Sequence, residues 1–393
     1  MILEAAACAL FLSAPHTAPV SVLFCPLEKS VRNADLVVSG RIAAIRTPRS
    51  GDGGWTSGGE YELEVGRVFA GRAREGARLA VQGCGDWTCE ARSVEYAVGQ
   101  ELFLLLDRDG KALRPVYGFQ SEFILEGDRI RQSNYRRGFG AAGAFLDGLP
   151  AILAFAALPR AEQPAAWVGL LRHPNAEVRQ FALRRFHEIH FLEEGSRGGA
   201  HEDPYAAMGD DVLLSLFAET VRLIPEDPTD RGAAIRALEY LWAHVRTQRP
   251  HELRERTRAS RLEAIARLAT PSPATAEEHR AESLYARATL GSLDDLPPVL
   301  EVLRAPDHDR HFEALAALEA LADTAGLRRR SAIDALADHP EGTRCEAALG
   351  RSALSLVRAS GTEPSFQEGG MDLRETARAF RVWWARHRSG FRE

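Results

Sequence analysis

The chain has 393 residues, of which 45% are hydrophobic and 26% charged, and this length and composition allow two domains with real cores. The formal net charge of −6 provides no overall basic field, which argues against nucleic-acid binding. Only Lys29 and Lys111 are lysines among the 49 basic residues, a bias that we attribute to a GC-rich genome rather than to arginine-specific recognition.

The N-terminal residues 1–20 form a candidate secretory signal. An apolar run over residues 5–12 precedes small residues, but the segment carries Glu4, lacks Lys and Arg, and has no small-x-small cleavage site. We predict an extracytoplasmic protein, periplasmic or secreted, with a cytoplasmic one as the alternative. No later run approaches 18 apolar residues, so we predict no membrane-spanning helix in the mature chain.

The next part of the chain is rich in predicted β-strands. A short helix over residues 26–34 comes first, and then Tyr61, Leu63 and Val65 alternate with Glu62 and Glu64, the period of a half-buried strand. Gly66 marks a candidate bulge. The predicted strands cover residues 36–46, 61–70, 77–82, 101–107, 112–116, 123–125 and 129–131. Many short strands separated by glycine turns indicate a small closed barrel.

Four segments within residues 25–131 carry a family resemblance. In chain order they read CPLEKSVRNADLVVSGRI, YELEVGRVFAGRAREG, CG and YAVGQELFLLL. This order resembles the netrin/TIMP-like family of OB-fold barrels, and the resemblance implies an extracytoplasmic barrel. Animal members of that family inhibit metalloproteinases through an N-terminal cysteine whose backbone chelates zinc. Here a single cysteine, Cys25, stands at the start in place of a Cys-x-Cys pair, so protease inhibition is an alternative function.

The chain contains five cysteines: Cys8, Cys25, Cys84, Cys89 and Cys345. This number excludes a disulfide-dense mini-domain but leaves one bridge feasible in an exported protein. Four residues separate Cys84 from Cys89, a spacing that fits a cross-hairpin disulfide. The family resemblance suggests a Cys25–Cys84 bridge instead, and three free thiols are the third alternative. A zinc site is disfavoured because no second cysteine pair is present.

A glycine-rich segment over residues 132–148 is predicted to be a linker. It contains Gly138, Gly140 and Gly143 in the spacing of a dinucleotide-binding loop. That loop needs a preceding strand, a following helix and a second parallel strand, whereas only helical sequence follows here. We therefore interpret the segment as a flexible hinge without a cofactor.

From residue 149 to about residue 390 the sequence is helical, and residues 171–186 show its clearest pattern. Pro174 disfavours helix at His173, and Asn175 then caps a second helix. Its apolar stripe consists of Val178, Phe181, Ala182, Phe186 and Ile189, with Arg179, Gln180, Arg184 and Arg185 outside the stripe. The predicted helices cover residues 150–158, 163–172, 176–190, 211–224, 231–246, 253–268, 276–290, 296–304, 310–323, 326–337, 344–358 and 372–387.

The H-P-N-x-x-V-R-x-x-A pattern between two helices resembles a HEAT repeat, a helix-pair unit that stacks into solenoids. The break returns at Pro306 and Pro340, 34 residues apart, which is one repeat length. The predicted fold class is thus multidomain β plus α, a small antiparallel OB-like barrel followed by an α-α superhelical solenoid. In the last helix Leu373, Ala377, Phe380 and Trp384 share one face and cap the solenoid, whereas Trp383 lies beside that face and is predicted to be exposed.

Metal-binding and catalytic patterns are weak. His187 and His190 lie three residues apart and His201, with Glu202 and Asp203, follows soon after, so residues 187–203 are the best metal candidate. The alternative is a solvated loop with histidines that favour a helix end. His308, Asp309 and His311 are interpreted as a polar loop. No G-x-S-x-G, P-loop or C-x-x-C motif is present, and no acid/base pair is recognisable, so we predict neither catalysis nor a cofactor.

The sequence therefore favours a non-enzymatic scaffold or protein-interaction protein of a bacterial cell envelope or exterior. Stacked helices present side chains from equivalent positions on an extended surface. Arg179, Gln180 and Arg184 are the candidates for that surface, and they suit a protein or peptide partner with acidic features. The alternative is that these are ordinary solvated residues. Because some HEAT-like proteins act as lyases on protein-bound chromophores or modify bases, an enzyme or enzyme subunit is a further alternative.

Overall fold

The chain divides into two compact units, one formed by the described residues up to Met208 and one by those from Gly209. The computed structural model describes residues 27–47, 59–83, 96–109, 112–116, 121–132, 140–195, 208–224, 228–270, 277–305, 310–324, 329–339, 349–350, 352–353, 356–357 and 373–391. The first unit contains a small β-barrel and the second is helical, which confirms the predicted β plus α fold class.

Five strands of the first unit close into a barrel. Their order is β1-β2-β3-β5-β4 with β4 returning to β1, and among these described strands the β3–β5 pairing is parallel and the others are antiparallel. A further hairpin and a short strand extend the sheet from β4 in the order β6-β7-β8. The strands are β1 Leu36–Thr47, β2 Glu60–Ala70, β3 Arg78–Gln82, β4 Glu101–Asp109, β5 Ala112–Pro115, β6 Glu122–Glu126, β7 Arg129–Gln132 and β8 Gly140–Ala141.

The alternation predicted for β2 is confirmed. Tyr61, Leu63 and Val65 are at most 1% exposed and lie in the barrel core, whereas the intervening glutamates are partly exposed. The predicted bulge is confirmed as well, because Ser39 pairs with Arg67 and the next β1 residue pairs with Val65, so that Gly66 is passed over. Alternation and one irregularity thus set the register of the β1–β2 pair.

Helices begin earlier in the chain than predicted. The first unit contains α1 Leu27–Asn33, α2 Ala142–Ala157, α3 Gln163–Leu171 and α4 Ala176–Gly195. The predicted start at Pro150 was wrong, because that proline lies inside α2, and part of the predicted linker 132–148 is strand β8 and helix. The helix start gives no local signal, since Ala141 precedes it without a side-chain cap.

Helix α2 packs on the barrel and belongs to the same unit. The Phe145 ring lies 5.5 Å from the Phe103 ring of β4, and 6.5 Å from the Phe123 ring of β6. Arg32 of α1 donates its Nε–H to the carbonyl of Ala156 over 2.8 Å. The first compact unit therefore combines the barrel with its first helices, and its boundary lies beyond the predicted linker.

The turn between α3 and α4 has the predicted cap. Asn175 Oδ1 accepts hydrogen bonds from the backbone N–H groups of Glu177 at 2.9 Å and Val178 at 3.4 Å. Trp167 of α3 donates its indole N–H to Ala182 O over 2.9 Å, and its ring lies 4.2 Å from that of Phe186. The predicted stripe from Val178 to Phe186 is buried, which confirms how the two helices pack.

The second unit is built from helices that pack in pairs. They are α5 Asp210–Leu223, α6 Pro228–Gln248, α7 His251–Arg256, α8 Arg258–Ala269, α9 Glu277–Leu290, α10 Leu296–Arg304, α11 His311–Thr324, α12 Arg329–Ala337 and α13 Leu373–His387. Helix α5 contacts α6, α8 contacts α9, and α10 contacts α11. In addition, α6, α9 and α11 lie side by side in chain order. Pro306 and Pro340, which mark the predicted repeats, lie outside the described residues.

One predicted helix of this unit is in fact two. The predicted helix over residues 253–268 is interrupted at Thr257, which separates α7 from α8. The Thr257 hydroxyl is buried and donates to the carbonyl of Arg254 over 2.7 Å, a local bond that competes with the regular helix.

Buried arginines hold the ends of several helices. Arg261 donates to Leu290 O, at the end of α9, over 2.9 Å, and its guanidinium lies 4.2 Å from the centre of the Trp242 ring. Arg231 donates to Leu268 O near the end of α8 over 3.2 Å. Because helix ends leave carbonyls unpaired and carry partial negative charge, these contacts stabilise the helix termini.

The last helix closes the core of the unit. Ala377, Phe380 and Trp384 are buried as predicted, and Trp384 donates its indole N–H to Asp334 over 2.9 Å. The prediction that Trp383 is exposed was wrong, since it is 6% exposed and stacks on His387 with the ring centres 4.6 Å apart. The buried face of α13 is therefore wider than a single stripe.

Candidate functional site

The candidate site is a charged surface formed by α6, α9 and α11, which we call the three-helix face. Three ion pairs lie along it: Arg236–Glu282 at 3.8 Å, Arg246–Asp323 at 2.8 Å and Arg310–Glu313 at 3.0 Å. Two of these pairs join different helices. The pair between Arg246 and Asp323 joins the C-terminal ends of α6 and α11, so these helices run in the same direction.

The side chains of this face remain within reach of solvent. The side chains of Arg236 and Glu313 are 43% and 40% exposed, and that of Asp323 is 31% exposed. Opposite charges alternate along neighbouring helices, and each guanidinium keeps donors beyond those used in its pair. A surface of this kind can form several charge-assisted hydrogen bonds with a partner.

Glu239 of α6 is the unusual group of the three-helix face. Burial raises the pKa of its carboxyl to about 8, the neighbouring Glu282 and Glu313 raise this pKa further, and Arg236 opposes them. Within the described residues the Glu239 carboxyl has neither a hydrogen bond nor an ion pair. At pH 7 this carboxyl therefore holds its proton, and the three ion pairs leave the face with balanced charge.

Tyr285 of α9 lies close to the same charges. Burial raises the pKa of its hydroxyl to about 12, Glu313 adds to this effect, and Arg310 opposes it. The side chain is 4% exposed and belongs to the apolar core beneath the face. The phenol therefore stays neutral throughout the physiological range, so it supplies neither a base nor a nucleophile.

The barrel contains a second cluster of ionisable groups, centred on Glu122. This glutamate is fully buried and accepts hydrogen bonds from the hydroxyls of Tyr61 at 3.3 Å and Tyr96 at 3.0 Å. A Cβ at Gly83 would lie 2.1 Å from the Tyr96 hydroxyl oxygen, so only glycine fits the present position of this ring. Because Glu122 is enclosed, the cluster cannot exchange protons with a substrate, and its geometry suits a structural role.

Neither cluster was found by sequence reasoning. For Glu122 a signal did exist, because residues 122 and 124 share one face of β6 and Ile124 lies in the barrel core. The predicted strand began one residue too late to include the glutamate. The environment of Glu239 gave no local signal, since Glu282 and Glu313 lie on other helices that are distant in sequence.

The residues predicted to contact a partner lie on α4 and make internal contacts. Arg179 donates to the carbonyls of His173 at 3.1 Å and Pro174 at 2.9 Å, which fixes the turn before its own helix. Gln180 is 6% exposed, and Arg184 is partly exposed. Their proposed role in partner binding stays a prediction.

The predicted metal and disulfide residues cannot be placed. Cys25, Cys84, Cys89 and His201 lie outside the described residues, as do His308 and Asp309, and the side chains of His187 and His190 lie outside them too. Of the polar loop predicted around residue 308, only His311 is described, and it is buried at the start of α11. Across the described ranges, no three His, Cys, Asp or Glu side chains are arranged to hold a metal ion.

Two broader findings complete the description of the site. Among the described helices, none is long and apolar enough to cross a membrane. Comparisons of the chain with protein-family models, with curated proteins and with solved structures each found no match.

Proposed function

We propose that this protein is a non-enzymatic scaffold that binds a protein or peptide partner through the three-helix face of its helical unit. The observation that carries the proposal is the row of ion pairs across α6, α9 and α11, which leaves partly exposed charges of both signs on neighbouring helices. An extended surface with repeated geometry is how stacked helix pairs bind their partners.

The helical unit is, in this proposal, a HEAT-like solenoid. Three features support this: the successive helix pairs α5/α6, α8/α9 and α10/α11, the side-by-side contact of α6, α9 and α11, and the capped turn at Asn175 in the first unit. The order of the barrel strands and its parallel β3–β5 pair support an OB-type barrel. We propose an extracytoplasmic location on the sequence resemblance alone.

The chemistry of the face suggests what kind of partner it binds. With Glu239 protonated at pH 7, three guanidiniums and three carboxylates balance one another. A partner segment that carries both acidic and basic side chains fits such a surface better than a uniformly charged one, because charge complementarity determines register and specificity. The purely acidic partner expected from Arg179 and Arg184 would instead bind on α4.

Affinity capture with matched variants of the full chain tests this proposal. The bait protein is recovered from the native envelope fraction as wild type, as Arg236→Gln/Arg310→Gln, and as the control Arg256→Gln/Arg258→Gln. Both double variants remove two arginines that form ion pairs in the helical unit, and the control pair lies outside the three-helix face. We expect one protein to be enriched by the wild type and the control, and its recovery to fall about tenfold or more with the face variant, equivalent to roughly 1.4 kcal/mol of binding.

A barrel variant keeps the result interpretable. Arg41→Gln/Arg46→Gln removes two exposed arginines that form ion pairs on the barrel surface. Equal recovery by the face variant and the wild type would contradict binding through the three-helix face. Loss of the partner with the barrel variant alone would assign binding to the barrel, and failure of the wild type to enrich any protein would contradict the scaffold function.

A further inference from the structure

The three-helix face contains more carboxyl groups than its arginines can pair with where its helices meet. Glu239 on α6, Glu282 on α9 and Glu313 on α11 influence one another electrostatically, and two arginines accompany them. Arg236 pairs with Glu282 and Arg310 pairs with Glu313, so the third carboxyl has no partner of its own within the described residues. The excess carboxyl belongs to the innermost of the three glutamates.

Each neighbouring helix contributes identifiable groups around Glu239. Helix α9 contributes Glu282 and the buried phenol of Tyr285, and the region at the start of α11 contributes Arg310 and Glu313. On its own helix, Arg236 lies one turn earlier and is the cation that acts on Glu239. Of the charges that act on Glu239, two are thus negative and one is positive.

We propose that Glu239 is a proton-operated latch that holds α6 against α9 and α11. With its proton in place, the carboxyl is neutral and fits beside the two ion pairs. When the proton leaves to solvent, a third carboxylate is created between two others in a partly buried site, where charge repulsion and lost hydration both act against it. The packing of α6 on α9 then loosens, and the three-helix face acquires a net negative charge.

The direction of the pH effect follows from the two states of the carboxyl. In the unfolded chain Glu239 has an ordinary pKa near 4.5, whereas in the folded chain its pKa is about 8. Between these values the folded chain binds one more proton than the unfolded chain. Its contribution to stability is therefore complete below about pH 4.5, declines as the pH rises, and is lost above about pH 8.

Thermal unfolding of the full chain at several pH values tests the latch. We expect the midpoint of the helical unit to fall by about 5–10 °C more in the wild type than in Glu239→Gln between pH 6 and pH 9. The amide keeps the shape of the side chain but cannot ionise. Glu301→Gln is the matched control, since Glu301 is an exposed glutamate on α10 of the same unit, and it should retain the wild-type pH dependence. Identical pH dependence in wild type and Glu239→Gln would overturn the proposal.

Hydrogen exchange separates a local latch from a general loss of stability. After correction for the intrinsic effect of pH, amides of α6 and α9 should lose protection between pH 6 and pH 9 in the wild type and keep it in Glu239→Gln. Amides of β2 and β4 in the barrel should not respond. Equal loss of protection in all elements, or none in α6, would contradict the latch.

A direct titration decides the question if Glu239→Gln does not fold. In the wild-type chain labelled with ¹³C at the glutamate carboxyls, one resonance should titrate with a midpoint near pH 8. In Glu282→Gln, which removes a like charge, that midpoint should move to lower pH. If every glutamate resonance of the wild type titrates below about pH 6, the latch is refuted. The experiment needs no partner, so its failure would leave the proposed scaffold function standing.

Discussion

The barrel and the helical unit each bury a glutamate, and they stabilise it in different ways. In the barrel, the hydroxyls of Tyr61 and Tyr96 donate directly to Glu122. In the helical unit, Glu239 has no such donor within the described residues and is surrounded by two further carboxyls. The difference teaches that burial alone does not determine the role of an acidic side chain. Directed hydrogen bonds make a buried carboxyl part of the core, whereas unbalanced charges make it responsive to pH.

The largest effect is expected from removing the enclosed carboxyl of the barrel. Glu122→Ala leaves two phenolic hydroxyls without their acceptor and opens a cavity among core side chains. We expect a loss of about 2–4 kcal/mol in the opening free energy of the barrel, measured by native-state hydrogen exchange of β4 amides. Glu101→Ala is the control, because Glu101 is an exposed glutamate at the start of β4, and it should cost less than about 0.5 kcal/mol. A small effect at Glu122 would mean that its hydrogen bonds contribute little.

An intermediate effect is expected at a buried arginine that does have hydrogen-bond partners in the helical unit. Arg261→Ala removes the donor to Leu290 O and the cation above Trp242. Chemical denaturation should show a loss of about 1.5–3 kcal/mol in the free energy of unfolding of this unit. The same substitution at Arg258, on the same helix and 69% exposed, should change it by less than about 1 kcal/mol. Equal effects at the two sites would remove the distinction between enclosed and solvated arginines.

The smallest effect is expected at a surface pair on the hairpin formed by β6 and β7. Hydrogen bonds from Arg131 hold the pKa of Glu126 below its ordinary value of 4.5, and the nearby positive charge contributes. Arg131→Ala should return this pKa towards 4.5, measurable by NMR titration. The pair stabilises the fold above the unfolded pKa and loses that effect as the pH falls through the lower folded pKa. Since the Glu126 side chain is 57% exposed, stability should change by less than about 1 kcal/mol. An unchanged pKa would show that the pair does not persist in solution.

Local patterns in the sequence predicted the fold well where local physics determines it. The strand alternation at Tyr61, Leu63 and Val65 and the cap at Asn175 needed only neighbouring residues to be recognised. The start of α2 was missed because packing replaces a cap there. At Gly148, for example, a Cβ would lie 2.6 Å from the side chain of Val178, so α2 and α4 approach too closely for a larger residue. Such a contact spans distant positions and leaves no periodic signal.

The candidate site was less predictable than the fold for the same reason. Gln180 and Arg185 lie outside the apolar stripe of α4 and were expected to face solvent, yet both are buried. Arg185 lies 4.9 Å from the Trp167 ring of α3 and hydrogen-bonds Gln163 over 3.2 Å. Polar residues that find partners across helices resemble solvated ones in a sequence. The charged row of the three-helix face depends on such pairings and became visible only once α6, α9 and α11 were placed together.

Strand β4 also governs the order in which the barrel can assemble. One of its edges pairs with β1, where Leu106 lies opposite Leu36 from 70 residues earlier, and its other edge is shared by β5 and β6. Hairpins between neighbouring segments form within microseconds, whereas closure between distant segments must first overcome the entropy of a long loop. The turn from β4 to β5 is therefore an early event, and the meeting of β4 with β1 is a slow one. Among the described pairings, this closure is the step that we expect to set the pace at which a newly made chain becomes a barrel.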